Sequence, residues 1–237
     1  MATSGSTTWS LTRDSIIYAA LRKIGTADLA GNQVTSNTTY AAEALNAMLK
    51  GFQVDGMPIW AIKEYTFTMV AGTNTYNIGI GQTLATPMPL KVIQAYRIEN
   101  TGAMNIPLNV YNHYDYNLLP QNATSGEPVN IFYQPLSTYG VIELWPTPAD
   151  SNTTITLVYQ RPFEDMNSSS DNLDFPSYWT EAVIFGLAWR LSYEYGTPIM
   201  DRQELQKAAE FFHTQALSFG TEEGSLFFQP DDTFRNK

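Results

Sequence analysis

Apolar positions recur along this chain first at helical spacing, then at strand spacing, then at helical spacing again. In the first stretch Ile16, Ile17, Ala20, Leu21 and Ile24 share one face of a helix predicted over 11–25. Thr12 stands where a cap belongs, Leu11 and Ile16 have the spacing of a hydrophobic staple, and Gly25 ends the run. A polar link over 26–37 leads to a second helix over 38–52, with Ala41, Ala44, Leu45, Met48 and Phe52 facing one way. Gly51, Asp55-Gly56 and Pro58 then break the helical pattern.

Between residues 60 and 161 the period falls toward two. Strands are predicted over 64–70, 74–78, 91–99, 106–111, 129–134, 140–145 and 153–160, and in the last of these Ile155, Leu157 and Tyr159 share a face. Ala71-Gly72-Thr73-Asn74 reads as a hairpin turn, and 113–119 as one helical turn before Pro120. The loop over 165–174 is polar and is expected to be mobile. Short strands separated by Gly, Asn and Pro clusters predict a small antiparallel sandwich or barrel-like domain.

The third stretch, 174–220, is the one around which the chain is organised. Asp174 or Ser177 is placed to cap a helix, Pro176 suits its first turn, and 182–189 carries no polar side chain. Such a helix is apolar all round, so its expected place is the core, with Ala182, Phe185, Leu187 and Trp189 as central packing residues. It is far shorter than the roughly 20 apolar residues a bilayer requires. Gly196 supplies a left-handed stop, Thr197 a new cap and Pro198 a first-turn residue. The next helix sets Leu205, Ala208, Ala209, Phe212, Ala216 and Phe219 against a polar face of Gln203, Lys207, Glu210 and Thr214. The fold class is therefore α+β: N- and C-terminal helices pack as a bundle (1–58 with 174–220) and a β domain (59–173) is inserted between them. Residues 221–237 form a C-terminal arm bearing Leu226, Phe227, Phe228 and Phe234.

Composition removes several function classes. The 237 residues contain no cysteine, so neither a disulfide frame nor a thiolate metal site is expected. The polar N-terminus predicts no signal peptide, and four Asn-x-Ser/Thr matches (Asn37, Asn122, Asn152, Asn167) read as by-products of an Asn/Thr-rich chain. Net charge is −10 and no basic run exists, which disfavours clamping of nucleic acid.

Few residues of the chain stand in a catalytic pattern. His113 and His213 stand far apart in sequence, and surface or boundary positions account for both. Gly79-Ile80-Gly81 lacks the third glycine of a dinucleotide fingerprint, and no phosphate loop or nucleophile elbow occurs. Glu164, Asp165, Asp171 and Asp174 form the one acidic cluster, which leaves open a loose cation site or a glycosidase pair, although a solvated loop explains it as well. Aromatic residues crowd the β region, from Tyr96, Tyr111, Tyr114 and Tyr116 to Phe132, Tyr133, Tyr139, Trp145 and Tyr159. Stacking on sugars would make the chain a carbohydrate-binding module of a phage or bacterial surface. A β core plus a protein interface is the commoner use of such residues.

Several phrases, in order, resemble the head-to-tail adaptor (connector) proteins of tailed bacteriophages, the tail tubular and packaged-DNA-stabilisation type. They are Ala44-Leu45-Asn46-Ala47-Met48-Leu49 with Asp55-Gly56 and Ile59-Trp60, then Ala71-Gly72-Thr73-Asn74-Thr75-Tyr76-Asn77-Ile78. Gly126-Glu127-Pro128, Leu144-Trp145-Pro146-Thr147-Pro148 and Tyr159-Gln160-Arg161-Pro162 follow. Phe175-Pro176 and the helix ending Ala188-Trp189-Arg190-Leu191-Ser192-Tyr193-Glu194-Tyr195-Gly196 complete the set, which spans about residues 12 to 220. The resemblance implies a structural virion protein without enzymatic activity or cofactor. It further implies a ring of identical subunits, twelve in number, docked under the portal protein and feeding downstream tail (nozzle or fibre) proteins. Genomic DNA would pass through such a ring without sequence-specific binding. Leu226, Phe227, Phe228 and Phe234 are the candidates for binding portal or a neighbouring subunit.

Overall fold

A computed structural model describes residue 5 and residues 9–26, 35–56, 58–99, 104–120 and 124–220. Five helices and nine strands appear in it: α1 (Arg13–Lys23), α2 (Thr35–Phe52), β1 (Ile62–Thr68), β2 (Thr75–Ile78), β3 (Lys91–Ile98), β4 (Asn105–Tyr111), α3 (His113–Asn117), β5 (Ser125–Gly126), β6 (Asn130–Pro135), β7 (Gly140–Trp145), β8 (Thr147–Pro148), β9 (Thr154–Gln160), α4 (Thr180–Glu194) and α5 (Ile199–Phe219). The architecture is mixed α+β.

Seven strands form one curled sheet in the order β1-β9-β3-β4-β6-β7-β2. Every strand of it adds side chains to a single core, from Phe67 on β1 through Ala95, Leu108 and Ile131 to Ile142 on β7 and Ile78 on β2. Ile155, Leu157 and Tyr159 enter it from β9, as their alternation predicts. The sheet is not wholly antiparallel: β4 and β6 run parallel, with Val110 opposite Ile131. The connection between them carries α3 and β5, which is long enough for a crossover that a tight turn could not make.

The turn at 71–74 is present, with Gly72 at φ 76° and the Thr73 amide donating to Val70 O at 3.0 Å. It does not close a hairpin, because β1 pairs with β9 and β2 with β7. The turn instead carries the chain between the two edges of the sheet. There Tyr76 packs on Phe67 (ring centroids 5.1 Å) and its hydroxyl accepts from the Val70 amide at 2.9 Å.

A second core is made by helices. Ile16, Ile17 and Leu21 of α1 and Leu45, Met48 and Leu49 of α2 pack with Val183, Leu187 and Leu191 of α4 and with Leu205 and Ala216 of α5. In α1 the Thr12 hydroxyl accepts from the Ser15 amide, as its cap position predicts. Gly196 takes φ 65° between α4 and α5, a conformation that costs glycine little.

Other expected caps are absent. Asp174 is captured by Arg161, so α4 begins after a 3-10 turn at Ser177–Trp179 without a side-chain cap, and Pro198 rather than Thr197 stands at the cap of α5. Leu205, Ala209 and Ala216 lie buried on the inner face of α5, but Phe219, assigned to that face by spacing, is 75% exposed. The face ends a turn before it, where the helix runs past the core.

The 165–174 loop differs most from its expectation. It is a strap packed into the helical core rather than a solvated loop. Met166 and Leu173 are buried in that core together with Phe163 just before them. Asn46 holds Met166 through both main-chain groups, donating from Nδ2 to its carbonyl and accepting its amide at 2.9 Å. Gln53 Oε1 accepts the Phe163 amide at 2.8 Å, and Lys50 Nζ donates to the Phe163 carbonyl at 2.6 Å. Composition made this segment look wet, but three apolar side chains and long-range polar contacts fix it.

Candidate functional site

The helical layer places the expected central residues unevenly. Ala182 and Leu187 are buried, whereas Phe185 and Trp189 are half-buried. Phe185 stacks on Phe212 of α5 at 5.1 Å, with Lys23 Nζ 4.5 Å above its ring. Trp189 borders a cleft of about 290 Å³ between α2, α4 and α5, whose walls include Met48, Phe52, Arg190 and His213. Gly186 sits in the same wall because α4 approaches Met48 closely: a Cβ there would lie 2.8 Å from Met48 Sδ. The other candidates, Leu226, Phe227, Phe228 and Phe234, lie outside the described residues.

The acidic cluster is dispersed by its partners. Asp174 makes a bidentate pair with Arg161, Nη2 to Oδ1 at 2.8 Å and Nη1 to Oδ2, and also accepts the Glu164 amide at 3.1 Å. Asp165 pairs with Lys50 at 2.7 Å, and Asp171 accepts the Ser168 amide at 2.6 Å. Among the described residues no three metal-ligating side chains converge. Arg161 also lies 5.6 Å from the Trp60 ring, and its amide donates to Ala61 O at 2.9 Å. One arginine therefore joins the end of the β region to the entry of α4, a role its sequence position gave no means to see.

Of the β-region aromatics, most are engaged in packing. Tyr159 is buried against the sheet core, and Tyr133 donates its hydroxyl to Pro89 O. Tyr116 stacks on Phe132 at 5.2 Å, and burial beside Glu143 pushes its phenol up to about 12. Tyr114 remains open to solvent. His113 meets Phe132 edge-on and shares a 2.9 Å hydrogen bond with Asn117.

His213 is a boundary residue of a different kind. Its ring stacks on Phe52 at 4.6 Å and meets Trp179 edge-on, with Nε2 3.6 Å from Asp55 Oδ2. Burial lowers its pKa below the usual value, and the Asp55 charge offsets part of that effect. As pH falls through about 6.5 the unfolded chain takes up a proton that the fold resists, so stability is lost from there down to the lower folded pKa. His213→Phe keeps the stacking but has no proton to bind. Its melting temperature should fall less steeply than wild type between about pH 7 and pH 5.5. Identical slopes would mean that His213 titrates alike in both states.

Where the chain leaves the described fold, apolar side chains lie open. Tyr178, after Pro176, meets Phe219 at the end of α5 with ring centroids 4.8 Å apart. Ile59 donates its amide to Gly220 O at 3.0 Å. Tyr178, Ile59 and Phe219 are 38%, 47% and 75% exposed, so this is a surface rather than a core. Sequence reasoning missed it because its members come from three separate segments.

The chain is thus a mixed α+β protein in which the Arg161–Asp174 pair joins the end of the sheet region to the helical layer. It belongs to the SU10 adaptor protein family, whose sequence model matches residues 11–223. The resemblance to phage head-to-tail adaptors read from the motifs is thereby established. No curated protein matches the chain.

Proposed function

We propose that this chain is a structural protein of the virion neck, one subunit of an adaptor ring that joins the portal to the tail. The family match over residues 11–223 carries this reading. In it, residues 1–58 with 174–220 act as a helical bundle facing the portal, and residues 59–173 project toward the downstream nozzle or fibre proteins. The protein is made in the host cytoplasm and has no enzymatic role. Twelve copies line part of the DNA channel, and an acidic wall lets the genome slide without sticking, for which −10 per subunit is suitable.

The same charge opposes assembly. Twelve copies at −10 each would gather a formal charge of −120. The isolated protein should therefore be monomeric by light scattering in dilute low-salt buffer, with rings forming on portal or with added salt. Stable dodecamers at low salt would contradict this.

Leu226, Phe227, Phe228 and Phe234 are proposed as the anchors that reach portal or a neighbouring subunit. Short extended segments bind through two or three apolar side chains and are ordered on contact. Removing 221–237 should leave the circular dichroism spectrum unchanged and weaken co-sedimentation with portal at least about tenfold. Phe227→Ala with Phe228→Ala should reproduce most of that loss. Undiminished sedimentation of the truncated chain would move the anchor to the α4–α5 hairpin.

A further inference from the structure

We propose that, before portal is met, Leu226-Phe227-Phe228 is seated on its own subunit, on the open apolar surface formed by Ile59, Tyr178 and Phe219. The inference rests on the reading of the arm as an anchor and adds the partner it must leave. Geometry singles out this surface. It surrounds Gly220, the last described residue: Ile59 N donates to Gly220 O, and a Cβ on Gly220 would lie 3.4 Å from Tyr178 Oη and 3.7 Å from Pro58 Cβ. Leu226 follows six positions later, after Thr221-Glu222-Glu223-Gly224-Ser225, a polar spacer with a glycine that permits reversal. At about 3.3 Å per residue its reach from Gly220 is at most roughly 20 Å.

That reach excludes the exposed apolar residues at the start of α5. Tyr193, Ile199 and Met200 are 58%, 63% and 71% exposed, but Ile199 begins α5, roughly 30 Å along the helix from Gly220. Phe211 is within reach and 61% exposed, yet its groove is otherwise polar, lined by Lys207, Glu210, Thr214 and Gln215. At the exit, among the described residues, three exposed apolar side chains lie around Gly220, within the length of the tether. A tether this short also gives an effective concentration on the order of millimolar, so even a weak contact is populated. Seated there, the trio covers apolar surface that would otherwise join free subunits together, and portal binding must lift it off. The arm then works as a latch against premature association.

The chain has no cysteine, so engineered disulfides can be assigned without ambiguity. The test oxidises the full-length, isolated protein carrying Ile59→Cys with Phe227→Cys, at low concentration. The comparison is Thr214→Cys with Phe227→Cys, which places the thiol on the exposed polar face of α5, about 9 Å along the helix from Gly220 and well inside the reach of the tether. The hydrogen bond to Gly220 comes from the Ile59 amide, so substituting the side chain leaves it in place. Tyr178→Cys with Phe228→Cys provides a second pair, and circular dichroism verifies each fold. The seat predicts an intrachain disulfide at least tenfold faster for both exit pairs than for the Thr214 pair. Equal rates would mean that the tether alone brings the thiols together, and would overturn the proposal. Interchain disulfides at the exit pairs would overturn it too, giving the surface to the arm of a second copy. Because no portal is present, either failure leaves the portal-anchor reading standing, and that reading is judged separately by co-sedimentation.

Discussion

Replacing Leu187 with alanine should lower the stability of the fold by about 2–5 kcal/mol. The side chain is fully buried in α4, in the core where α1, α2 and α5 meet, and truncation leaves a cavity that packed helices on several sides cannot collapse. Lys207→Ala, on the exposed face of α5, should stay within about 0.5 kcal/mol of neutral. Gly186→Leu tests the opposite fault. Its first carbon alone would press on Met48 Sδ, and overpacking of this kind costs about 1–3 kcal/mol. Urea unfolding of the three variants measures all of this. Equal midpoints for Leu187→Ala and Lys207→Ala would show that α4 is not the organising element.

The second large effect is expected at Arg161. Its guanidinium and the Asp174 carboxylate are 12% and 21% exposed, and the bidentate pair also receives the Glu164 amide. Arg161→Ala leaves a mostly buried carboxylate beside Glu164 without its partner, a loss of about 3 kcal/mol. It also removes the packing of the arginine on Trp60. Exchanging both members for apolar residues, Arg161→Met with Asp174→Leu, should recover part of the loss, since no unpaired charge remains. Denaturant unfolding decides it. A single substitution within about 0.5 kcal/mol of wild type would mean that the strap is held by its other contacts, the hydrogen bonds to Asn46, Lys50, Gln53 and Arg13 and the burial of Met166 and Leu173.

Local patterns announced themselves in the sequence, and pairings between distant segments did not. The strand over 140–145 coincides with β7, and Ile155, Leu157 and Tyr159 point into the core as their alternation requires, because side-chain period is a local property. The parallel pairing of β4 with β6 depends on which strands meet across the sheet, which no single stretch encodes. Asp174 shows the same limit at one residue. As a helix cap it is a sound local reading, but Arg161, thirteen positions earlier, offers two charge-assisted hydrogen bonds and takes it. In the strap, Ser and Asn counts concealed Phe163, Met166 and Leu173, whose burial depends on α1 and α2 being alongside. The family was legible as an ordered set of short phrases, whereas Leu226, Phe227 and Phe228 lie outside the described residues and stay a proposal. The exit surface was not legible, since Ile59, Tyr178 and Phe219 meet only after folding.

Electron microscopy of the protein mixed with its portal tests the central claim most directly. The account predicts a ring of subunits stacked coaxially beneath the portal, helical layer against it and β domains directed away, with an open axial channel. Portal rings that remain bare at saturating protein, or subunits scattered over the portal without a shared axis, would contradict it.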